Sequence, residues 1–74
     1  MPADPSELSE RLRAISEDLA DLALTLLREA AERVRAGDQP DPALVAEERR
    51  VTRARRAVIK AAQLLEEPPG PEPD

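Results

Sequence analysis

The chain has no histidine, no cysteine and no phenylalanine, tyrosine or tryptophan in 74 residues. Each absence excludes chemistry. Without histidine there is no imidazole to act as a general base near neutral pH or as a metal ligand. Without cysteine there is no thiolate nucleophile, no disulfide and no thiolate zinc site. Without aromatic residues there is no ring to stack on a nucleobase or a planar cofactor. Long apolar runs are missing too. The strongest, Leu19 to Leu27, is interrupted by Asp21 and Thr25 and is too short to span a bilayer.

What remains is leucine, alanine, valine and isoleucine, with ten arginines, one lysine and sixteen carboxylates. A chain of this length is marginal as a lone folded unit and usually needs a staple. With disulfides and most structural zinc sites excluded, a second subunit is the staple to expect. The start, Met1-Pro2-Ala3-Asp4-Pro5, has neither the basic region nor the apolar core of a secretion signal, so a cytoplasmic location is the expectation. No membrane partner is expected, because the apolar positions include no Trp or Phe and acids crowd the first helix.

The net charge of −5 is unevenly spread. Four acids and no base lie between Glu66 and Asp74, whereas residues 1–65 carry eleven bases against twelve acids. Proline divides the chain. All eight prolines stand at positions 2, 5, 40, 42, 68, 69, 71 and 73. Proline costs about 3 kcal/mol inside a helix, so its absence from 6–39 and 43–67 marks two uninterrupted helices. Asp4-Pro5 and Asp41-Pro42 each place a capping carboxylate before a proline at the first helical position. Glu7, three residues after Asp4, fits a capping box. Gly37 fits the left-handed position that closes a helix.

These signals give an all-α chain. Residues 1–5 form an N-terminal extension and cap. Residues 6–67 form an antiparallel helical hairpin, with a first helix over about 6–36, a loop at 37–42 and a second helix over about 43–67. Residues 68–74 read as a disordered, acidic, proline-rich tail.

The first helix carries a seam at alternating steps of four and three: Leu8, Leu12, Ile15, Leu19, Leu22 and Leu26. Ala20, Leu24, Leu27 and Ala31 form a second stripe beside it. Together they cover roughly 200° of the helix at 100° per residue, wider than one neighbour requires. In the second helix Leu44, Val51, Val58 and Leu65 recur every seven residues, as do Val45, Thr52 and Ile59. Glu48 and Arg55 fall between those lines, as a polar layer or at the edge with buried stems. A turn centred near Gln39 and Pro40 sets Leu19 opposite Lys60 and Leu12 opposite Glu67, leaving Leu8 overhanging.

A wide apolar face on a two-helix hairpin is satisfied by a second hairpin, most simply in a twofold four-helix bundle. The residues expected to carry folding and self-association are Leu8, Leu12, Ile15, Leu19, Leu22, Leu24, Leu26, Leu27, Val51, Val58, Ile59, Leu64 and Leu65. The expected function is that of a non-enzymatic adaptor, scaffold or regulatory subunit. Its partner is a second copy of itself, and another helical protein could use the same face. No cofactor, metal or catalytic residue is expected.

One local signal points elsewhere. Arg49, Arg53, Arg56 and Lys60 share a face at steps of four, three and four, which could follow a phosphate backbone. Nucleic acid is the alternative partner but not the favoured one. No ring is available for stacking, no recognition helix is visible, and Glu17, Asp18, Asp21 and Glu29 lie within reach to balance the stripe. The other charges read as pairs within a helix: Glu7–Arg11, Glu29–Arg33, Glu10–Arg13, Glu32–Arg35 and Glu47–Arg50. Ser6 and Ser9 read as capping the first turn.

Two enzyme resemblances are partial and remain remote alternatives. Glu29-Ala30-Ala31-Glu32 is similar to the first half of the magnesium motif of MazG-type pyrophosphatases. Arg50 and Val51 stand three residues after Glu47 and Glu48, where the second half requires an acid. The first helix, with Arg11, Asp18 and Arg28 around leucines, resembles the first helix of all-helical chorismate mutases. There the apolar phase differs by one residue, the connector lacks the expected lysine, and no third helix follows.

Overall fold

The computed structural model describes residues 4–68. Beyond Pro68, the expected proline-rich tail lies outside the described residues. Two helices pack against each other: α1, Pro5–Arg35, and α2, Pro42–Glu66.

Both helices begin with an aspartate-proline pair whose carboxylate satisfies an orphan backbone donor. The Asp4 side chain accepts from the Glu7 N–H at 2.8 Å, and Asp41 accepts from the Ala43 N–H at 2.9 Å. Gly37 takes φ +94°, and its N–H donates to the Val34 carbonyl while the Asp38 N–H donates to that of Arg33. This paired closure needs a left-handed residue, which any side chain strains. α2 stops where Pro68 forces Glu67 into an extended conformation, with ψ 133°.

The pairing is antiparallel. Arg13 meets Glu66 at the open end at 2.6 Å, and Arg33 meets Asp41 near the turn at 2.9 Å. Leu65 and Glu66 share a cleft with Asp4, Pro5, Ser6 and Ser9, so α2 reaches the first turn of α1. Leu8 is therefore exposed by its rotation about α1 and not by the expected overhang.

The line of contact on α1 also differs from the leucine seam. Ser9 and Ser16 are buried, Ala23 and Ala30 are half-buried, and these four recur every seven residues. Leu12, Leu19 and Leu26 alternate with them and face α2. Small residues let the helices approach closely, and Ala62 of α2 is fully covered. The serines fit because each hydroxyl is satisfied locally. Ser9 donates to the Ser6 carbonyl at 2.9 Å, and Ser16 donates to the Arg13 carbonyl at 2.7 Å. Ser9 thus serves the seam and not the cap. On α2, Leu44 is buried, and Val51, Val58 and Ile59 are half-buried. Glu48 is half-buried and accepts from the Thr52 hydroxyl at 2.6 Å, while Arg55 is exposed.

The molecule measures 60 × 29 × 15 Å. Its thin dimension is little more than one helix diameter of about 10–12 Å. It is a single layer, whereas folded domains are built from layers packed on one another. Among the described residues the buried apolar side chains are Leu26, Leu44 and Ala62, and no large side chain is fully covered. The accessible surface is 6056 Å².

Candidate functional site

The surface holds three features that could meet a partner: two aliphatic flanks and one basic edge. The flanks follow from the rotation of α1. Leu8, Ile15 and Leu22 each precede a seam residue (Ser9, Ser16, Ala23) by one position, which turns them about 100° to one side. All three are exposed, Ile15 by 46%. Leu27 and Val34 are turned to the other side, with Leu24 further round, and these are exposed too. Of the residues expected to carry folding and assembly, Leu12, Leu19, Leu26, Val51, Val58 and Ile59 thus face the partner helix. Leu8, Ile15, Leu22, Leu24, Leu27, Leu64 and Leu65 remain open to solvent.

The first flank continues onto α2. In an antiparallel pair, residues one before the seam on either helix lie on the same side of the layer. Ala54 and Ala61, one before Arg55 and Ala62, therefore extend the Leu8–Ile15–Leu22 flank. The result is a ridge of Leu8, Ile15 and Leu22 on α1 beside a trough at Ala54 and Ala61 on α2, bounded toward the turn by Glu29 and Glu47 on the same lines. The opposite flank is closed at the open end by Arg13 and Glu66. It is aliphatic only toward the turn, where Leu27 and Val34 lie near the exposed Val45.

Arg13 binds Glu66 through two hydrogen bonds, from Nε at 3.1 Å and from an Nη nitrogen at 2.6 Å. Sequence spacing missed this pair and assigned Arg13 to Glu10, because 53 positions separate the true partners. The hydrogen bond from Arg13 holds the Glu66 carboxyl below its ordinary value of 4.5, against an opposing desolvation and with added attraction from the guanidinium charge. A carboxyl depressed on folding stabilises the fold above its unfolded value and loses that contribution as pH falls through the folded value. The same hydrogen bond raises the Arg13 guanidinium, against desolvation and with added attraction from the Glu66 charge, so Arg13 stays charged throughout the acid range. Glu66→Gln is therefore expected to lower the melting temperature at neutral pH, with the gap from wild type closing as pH falls below 4.5. Melts followed by circular dichroism across that range check it. A gap independent of pH would show that the ion pair contributes nothing.

The basic edge departs from expectation. Arg49, Arg53, Arg56 and Lys60 are all exposed. Among the described residues none of them lies within 4.0 Å of a carboxylate. Glu17, Asp18 and Asp21 do not balance the stripe, because the helices turn the two charge sets outward, and Glu29 is half-buried and pairs with Arg33 instead. At 100° per residue the stripe lies roughly 165° from the α2 seam, and Asp21 lies about as far from the α1 seam. Of the pairs expected within a helix, Glu7–Arg11 and Glu29–Arg33 form, at 3.8 and 3.2 Å.

Among the described residues no group of three or more acidic side chains is placed to hold a metal ion, and no helix is long and apolar enough to cross a membrane. Comparison with protein-family models, with curated proteins and with solved structures finds no match.

Proposed function

We propose that this chain is a non-enzymatic interaction protein that assembles with a second copy of itself into a four-helix bundle. The observation that carries this reading is the imbalance in a one-layer hairpin. Nine large aliphatic side chains stand exposed against three buried apolar residues among those described.

The ridge and trough supply a self-complementary face, as a twofold interface needs. A twofold axis parallel to the helices lays α1 of one copy over α2 of the other, with both turns at the same end. The Arg13–Glu66 and Arg33–Asp41 pairs fix the levels within each hairpin. At those levels Ile15 stands beside Ala61, and Leu22 beside Ala54. In the bundle, Ile15 and Leu22 of one copy would fill the space above Ala61 and Ala54 of the other. The opposite flank, with Leu24, Leu27 and Val34, stays free for a helical segment of another protein, which would make the dimer an adaptor or scaffold.

The absence of native cysteine gives a clean test. Two single variants, Leu22→Cys and Ala54→Cys, are refolded together and oxidised. The expected product is the mixed disulfide joining the two variants, with little of either homodisulfide, since only the mixed pair comes within bonding distance. A mixed disulfide at no more than the statistical half of the product, or no disulfide at all, would contradict the arrangement.

A further inference from the structure

We infer that the outer edge of α2 binds the phosphate backbone of duplex nucleic acid, without reading its bases. This goes beyond self-association and does not depend on it. Between Arg49 and Lys60 there are six basic residues and no acid. Four of them line one face over roughly 16 Å of helix. All four are exposed, and none is neutralised by a described carboxylate within the hairpin. An unpaired row of cations on a rigid helix is what counterion release from a polyanion rewards. Three of the four are arginines, whose planar fork suits phosphate oxygens.

The acids on the outer edge of α1 do not oppose this contact. The carboxylates Asp18 and Asp21 lie on the outer edge of α1, across two helix widths. That separation is about 20 Å, more than twice the screening length of roughly 8 Å at physiological salt. Nor does the bundle cover the stripe. It lies half a turn from the α2 seam, whereas the alanine trough lies on the flank. The missing aromatic rings select the form of nucleic acid. With no aromatic ring to stack on unpaired bases, and arginine planes alone for that contact, a regular duplex backbone is the better match.

The test is a titration of the full-length protein against a labelled duplex of mixed sequence, followed by fluorescence anisotropy. Circular dichroism and light scattering report fold and mass on the same samples. Four phosphate contacts predict affinity falling about 100-fold between roughly 50 and 200 mM salt. Duplex DNA and duplex RNA should bind alike, and single strands more weakly. The fourfold variant Arg49→Gln, Arg53→Gln, Arg56→Gln, Lys60→Gln should lose binding while keeping helicity and mass. Should that variant not fold, the single Arg53→Gln change should still reduce the salt slope by about one. Four results would overturn the inference: no binding of folded protein at the lower salt, binding unchanged in the folded fourfold variant, a preference for single strands, or poly-glutamate binding as tightly as duplex. The last would assign the stripe to an acidic protein surface. Self-association fails separately, in the mass measurement.

Discussion

Placing glutamate at both Ile15 and Leu22 is expected to reduce the protein in solution from dimer to monomer. Both side chains are exposed in the isolated hairpin, so neither change opens a cavity in it. Glutamate is also a good helix former, which keeps the cost to α1 itself small. In the bundle the same positions sit over alanines and away from water. Burying an unpaired carboxylate costs at least about 2 kcal/mol, and a dimer would hold four of them. A combined cost of roughly 8 kcal/mol weakens association on the order of 10⁶-fold. Light scattering after size exclusion should show the lower mass. Unchanged mass would mean that this flank faces solvent in the assembly as it does in the hairpin.

Leu26→Ala and Leu27→Ala are expected to separate widely, although the residues are adjacent. Leu26 is 6% exposed and packs into the seam, whereas Leu27 is 52% exposed on the flank opposite the ridge. Truncating a buried leucine costs about 2–5 kcal/mol through lost transfer energy and the cavity left behind. With so few buried apolar residues to share the load, that loss should unfold much of the population. Leu27→Ala should cost less than about 1 kcal/mol, as at other surface positions. Urea midpoints at one protein concentration give the comparison, since assembly makes stability depend on concentration. Equal losses would place the seam elsewhere on α1.

The two helices and the turn between them were legible because their signals are local and covalent. Pro5, Pro42 and Pro68 limit where a helix can start or stop whatever surrounds them, and Gly37 alone adopts the closing φ cheaply. The rotation of α1 was harder to read. Hydrophobicity points to the leucine line, but helix approach is governed by the smallest side chains. Ser9 and Ser16 look polar until their hydroxyls return to carbonyls three residues back. The signal was present in the seven-residue spacing of Ser9, Ser16, Ala23 and Ala30, and becomes readable once size is weighed beside polarity. Charge pairing was legible only within a helix. Arg13–Glu66 depends on the register between helices, and the isolation of the basic stripe depends on which way each helix turns its charges.

The most direct measurement is the mass of the unmodified protein at micromolar concentration, by light scattering or sedimentation equilibrium. Self-association through the ridge and trough requires twice the chain mass of 8.1 kDa, with full helicity. A well-folded species at the mass of one chain would show that a single-layer hairpin suffices, and would contradict the proposed assembly.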